Sequence, residues 1–446
     1  MNAVVDTKSR YVSEFDRLRS SLPGGTPWLT ALRETALSRF GEMGFPSPRL
    51  EDWKYTNVAP IEKRHFMFPG ALSPALNNGQ LQALSLGGLD CHHLVFINGR
   101  LQPGYSVPTS LPAGVDVGSL AHALAQAPAD LEPFLGHFAD PTANGFVALN
   151  TAFIDDGAYI RVAPGVRLDK PVHLVFAVTG SDEVMTSPRN LIVAGDNSQV
   201  TVIEHYVDLA GATYLTNAVT EIVAGAGAHV DHYKLQQEAM NAYHVATIQV
   251  HQGRDSRFVS RNFSLGGRLV RNDINAVLSA GGAECVMDGL FMAGGRQHVD
   301  NHTFIDHAVP SCSSRENYKG VLDGRSRGVF NGRIMVRQDA QKTDAHQSNH
   351  NLLLSEDAEV DTKPQLEIFA DDVRCSHGAT VGNLDNDALF YLRSRGLDEQ
   401  NARGLLTYAF MREVIDRIDV VPVRAAMGRN LLAWLPGVDE SVSEGL

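Results

Sequence analysis

A chain of 446 residues, 43% hydrophobic and 20% charged, exceeds what one ordinary core organises and suits an elongated body with smaller end modules. Its formal net charge of −13 and pI near 5.7 argue against broad binding to nucleic-acid phosphates. No apolar run approaches the roughly 18 residues of a membrane helix, and residues 1–10 lack an apolar stretch, so neither a membrane span nor a secretory signal is expected and a cytoplasmic location is.

Residues 8–65 read as helical. Tyr11, Phe15 and Leu18 share one face, and a second amphipathic run over 27–40 carries Trp28, Leu29, Leu32 and Leu37. Pro23-Gly24-Gly25 separates the two, and Phe45-Pro46-Ser47-Pro48 ends the second. Glu51-Asp52-Trp53-Lys54-Tyr55-Thr56 is dense in aromatics and charges for a loop, and Trp53 and Tyr55 are expected to pack onto a neighbouring domain. Residues 1–144 are read as this helical region with its linker to a core.

The pattern changes over 145–382. Short β-branched runs alternate with Gly, Asp and Ser turns. A unit of turn residue, small residue and β-branched residue recurs, as in Gly195-Asp196-Asn197-Ser198-Gln199-Val200, Gly227-Ala228-His229-Val230 and Gly282-Ala283-Glu284-Cys285-Val286. Ser198, Ala228, Ser256 and Ala283 recur at roughly 30-residue steps, the period of a β-solenoid whose coils bury their faces only against one another. An irregular β-sandwich is the competing reading. The 40 glycines fit a solenoid with a permissive backbone at each corner.

Helical periodicity returns over 383–446. Asp385 or Asn386 can cap a helix ending at Ser394-Arg395-Gly396, and Asp398 a second one carrying Leu405, Leu406, Tyr408, Phe410, Val414 and Ile418. Its apolar positions cover more than one face, so part is expected against the solenoid end and part is left for a partner. The acidic tail after Pro436 is expected to be loose.

Several chemistries are absent as motifs. There is no P-loop and no H-E-x-x-H, and Gly225-Ala226-Gly227 reads as a turn. Cys91, Cys285, Cys312 and Cys375 form no CxxC pair, so each is first read as a small buried thiol. Of the 17 histidines, His298, His302 and His307 cluster, as do His346 and His350; they read as solvated side chains before metal ligands.

Cys375-Ser376-His377 is the one credible half-site. An i, i+2 pair on a strand points thiol and imidazole to one side, within reach of one iron or zinc ion or an iron–sulfur centre. Two ligands do not complete such a site. A Cys–His nucleophilic dyad fits less well, because strand neighbours do not easily converge while both face a substrate. Residue type alone leaves a buried Cys beside a structural His standing next to the ligand reading.

A long run is more specific. Asn349-His350-Asn351-Leu352-Leu353-Leu354, then Ala358-Glu359-Val360-Asp361-Thr362-Lys363-Pro364-Gln365-Leu366-Glu367-Ile368, and Ala370 through Cys375-Ser376-His377-Gly378-Ala379-Thr380 closely resemble the SufB/SufD family, scaffold subunits of the SUF iron–sulfur cluster assembly machinery. Val329-Phe330-Asn331-Gly332-Arg333-Ile334, Leu389-Phe390-Tyr391-Leu392-Arg393-Ser394-Arg395-Gly396 and the Trp53-Lys54-Tyr55-Thr56 segment extend the likeness, which leans to the SufD type. The resemblance implies a right-handed parallel β-helix core between helical regions and a non-catalytic scaffold role. It implies a SufB-like partner along the core, a SufC-like ATPase on the C-terminal helices and no nucleotide on this chain. It also implies a transient iron–sulfur cluster shared with the SufB-like subunit, with His377 as the interface ligand and Cys375 as the weaker candidate. Open strand edges would let the isolated chain homodimerise. Neither nucleic acid nor membrane is an expected partner. A carbohydrate-active β-helix lyase is the alternative, and it would need a groove of paired carboxylates.

Overall fold

The computed structural model describes residues 7–69, 76–107, 110–180, 183–209 and 211–435; the acidic tail lies outside them. The chain is mainly β, a solenoid of about eight coils with helices at both ends of the sequence. Each coil gives one strand to each of two 10-stranded sheets. Gln199, His229, Arg257, Glu284, Ser313, Asp344 and Arg374 stack in parallel register down one sheet.

The recurring sequence unit is the corner that sets this register. Two residues before each of the first six of these positions the backbone turns left-handed, at Asn197, Gly227, Asp255, Gly282, Ser311 and Lys342. The next residue, Ser198, Ala228, Ser256, Ala283, Cys312 or Thr343, is buried where coils meet and must be small. Cys312 is thus a corner filler, and Cys285 lies one strand position inside.

Between the sheets, Val200, Val202, Phe258, Ile274, Met287 and Ile334 fill an apolar core. The lumen also holds charge. Glu204 accepts from Thr220 Oγ1 and Tyr206 Oη at 2.7 Å and faces His232 at 3.2 Å, while Glu238 lies 2.7 Å from His244. Lys234 donates to Asn272 at 2.8 Å, across to another coil.

Helices Thr7–Leu18 and Pro27–Met43 fall where periodicity placed them, and Tyr11, Phe15 and Phe40 pack with Phe146, Leu215 and Tyr243 on the outer face of one sheet. Trp53 stacks on Phe146 at 5.6 Å, with the Arg271 guanidinium 4.3 Å from its ring. Sheet pairing begins early: His92–Ile97 already lies parallel to Val172–Val178. Asp385 caps Asn386–Ser394, and Asp398 caps Glu399–Ile415. A third helix, Val421–Trp434, carries Pro422 in its first turn. The C-terminal helices do not close the solenoid end as expected. Met411, Val414, Ile418 and Met427 instead cover Tyr233, Leu235, Phe263 and Leu290 on its flank. The reason is a stripe of outward-facing apolar residues along that sheet.

Candidate functional site

Arg374–Gly382 is the last strand of its sheet, and Glu359–Ile368 is the last strand of the other. Both edges end at the same mouth, where Ile368, Phe369 and Val381 are exposed. Strand alternation fixes which way the half-site points. Cys375 pairs with the buried Ala345, and His377 with the buried Gln347, so both face the lumen side of the final coil. Cys375 is half-buried against the core, and that burial raises its thiol pKa; His377 is exposed at the mouth.

A polar column leads inward from His377. Below it, Gln347 Nε2 donates to Glu316 Oε2 at 2.6 Å, while Gln347 Oε1 finds no partner among the described residues. Burial pushes the Glu316 carboxyl up to about 7. Ser376 and Thr380 point the other way, toward His346 at 2.6 Å and His350 at 2.8 Å on the outer face.

The three histidines His298, His302 and His307 take different partners. His298 meets Thr56 at 2.7 Å, His302 lies 3.1 Å from Asp300, and His307 turns inward to Ser314 at 2.9 Å. Those three do not share a centre. One triple of metal-competent donors does gather among the described residues: Cys91, His93 and His173. Sequence reading passed over it, although Cys91-His92-His93 repeats the spacing that drew attention to Cys375-Ser376-His377; its third member comes from a strand far along the chain.

Two helices beside the mouth present apolar surface. Phe390 is 75% and Tyr391 56% exposed, and Leu392, Leu405, Leu406 and Ala409 line a shallow groove next to Tyr391.

The sequence matches the SUF system FeS cluster assembly SufBD core domain over residues 176–410 and the SufBD protein N-terminal region over residues 5–174. The chain belongs to the SufB/SufD family. Among its relatives, the iron–sulfur cluster assembly protein SufD of Escherichia coli is 35% identical over 88% of this chain and 90% of its own length. An iron–sulfur cluster assembly SufBD family protein of Synechocystis is 34% identical over 89% of this chain and 88% of its own. A chloroplastic protein of Arabidopsis thaliana is 28% identical over 89% and 84%. For a SufB/SufD chain, the mouth strand and the helix Glu399–Ile415, apart from its last turns, fall inside the matched core region.

Proposed function

We propose that this chain is a SufD-type, non-catalytic scaffold for iron–sulfur cluster assembly in the cytoplasm, and that a nascent cluster forms across its open mouth. The observation that carries this reading is a lumen-facing His377 on an unpaired edge strand of a SufB/SufD-family solenoid. A half-site at an edge is complete only when a second subunit adds its own ligands. Edge strands with free backbone donors and acceptors offer the means to recruit one.

In this reading a SufB-like solenoid continues the sheets beyond Arg374–Gly382 and Glu359–Ile368. His377 is the ligand from this side, with Cys375 behind it held protonated by burial until a metal displaces the proton. The cluster is cargo. A SufC-like ATPase docks on the Phe390–Tyr391 surface, and nucleotide chemistry belongs to that subunit. Without its partner, the chain pairs edge to edge with a second copy.

Co-expression of tagged chain with SufB- and SufC-like proteins tests the assembly. A stable three-component complex is expected. Recovery of this chain alone, with both partners present and folded, contradicts the proposal.

A further inference from the structure

Outside the mouth, on the outer face of the same sheet, the Sγ of Cys91, a ring nitrogen of His93 and one of His173 lie within 4.8 Å of one another. The topology explains the meeting: Cys91 immediately precedes the strand His92–Ile97, and His93 is the in-register neighbour of His173 on Val172–Val178. Six strands lie between this pair and Arg374–Gly382, roughly 34 Å along the sheet.

The hydrogen bonds set the tautomers. Gln237 Oε1 only accepts, so at 2.8 Å it takes the Nε2 proton of His205. That leaves His205 Nδ1 as an acceptor, 3.3 Å from His173 Nε2, which must donate. His173 Nδ1 therefore carries a lone pair, and it faces His93 Nδ1 at 3.1 Å. A tetrahedral ion with bonds of about 2.0–2.1 Å holds two nitrogens about 3.3 Å apart, so this spacing needs almost no adjustment. Burial keeps His173 and His93 toward the neutral form that binds metal. His205 and Gln237 act as outer groups that fix ligand orientation.

We propose that Cys91, His93 and His173 form a site for a divalent transition metal of the zinc or ferrous class, with one coordination position left open. One thiolate with two imidazoles suits those ions over magnesium or calcium, which take oxygen ligands. On binding, Cys91 loses its proton to solvent as the metal–sulfur bond forms. The Nδ1 proton of His93 moves through water to Nε2, so one proton is released per metal. Burial beside Asp90 places the Cys91 thiol at about 11, and the metal must displace that proton. The site stands apart from the cluster reading at the mouth.

The test uses the full-length chain stripped of metal and titrated with Co²⁺, then with Zn²⁺ in competition. One equivalent of Co²⁺ with a thiolate-to-cobalt absorption band is expected, displaced by Zn²⁺. Cys91→Ser should lose the band, while Cys375→Ser and His377→Ala keep it. Gln237→Leu, which removes no ligand, should weaken Co²⁺ by roughly 10- to 100-fold with an unchanged circular dichroism spectrum. Absence of stoichiometric Co²⁺ binding by the unmutated chain, or a band that survives Cys91→Ser, overturns the proposal.

Discussion

At the scale of single residues, burial and pairing decide what each charge does. Arg189 and Glu221 are fully buried, joined at 2.5 Å, and Glu221 also accepts backbone N–H groups of Gly136, Phe138 and Ala139 at 2.8–3.1 Å. This cluster fastens the N-terminal segment to the sheet. Glu221→Ala strands a guanidinium and should cost about 3–5 kcal/mol, read by denaturant unfolding; a loss below 1 kcal/mol would mean the segment is held by its apolar contacts alone. Glu316 behaves in the opposite sense. Its folded pKa of about 7 lies above the ordinary 4.5, so between those values the unfolded chain ionises while the folded one stays protonated. Stability therefore falls as pH rises from about 4.5 to about 7, by up to about 3 kcal/mol. Glu316→Gln cannot ionise. It should melt like the parent near pH 5 and at a higher temperature near pH 8, and equal melting at both would refute the assignment.

At the scale of elements, legibility followed periodicity. The corner unit was readable because turn, small residue and β-branched residue recur in chain order, and each maps onto a left-handed turn, a buried filler and a core position. Caps were equally readable, since Asp385 and Asp398 act through atoms two or three residues away. The inner polar layer was not. Glu204, His232, Lys234 and Glu238 look like solvated strand residues until stacking places partners from other coils beside them. The Cys91–His93–His173 group was missed for the same reason, as His93 and His173 meet only through register. The flank position of the C-terminal helices depended on an apolar stripe spread over three coils, Tyr233, Leu235, Phe263 and Leu290. Phe390 and Tyr391, on the helix Asn386–Ser394, remain uncovered. Replacing both with Asp should weaken capture of a SufC-like ATPase by roughly 10-fold or more in a binding titration, while association with the SufB-like subunit is retained. Unaltered ATPase binding would move that interface elsewhere.

For the whole molecule, the decisive feature is asymmetry. The outer face of one sheet is covered by the N-terminal helices and the flank of the other by the C-terminal ones, but the final coil ends in two bare edges around His377. Register turned the Cys375–His377 pair from a spacing into a position, inside the mouth and above Gln347 and Glu316. It also separated the two members, leaving the thiol half-buried and the imidazole exposed. Anaerobic reconstitution of the co-expressed complex, with His377→Ala compared against the parent by visible absorbance and iron content, tests this most directly. Loss of the cluster absorbance and bound iron from an intact complex is the predicted result. Parental cluster yield from the His377→Ala complex would contradict the account.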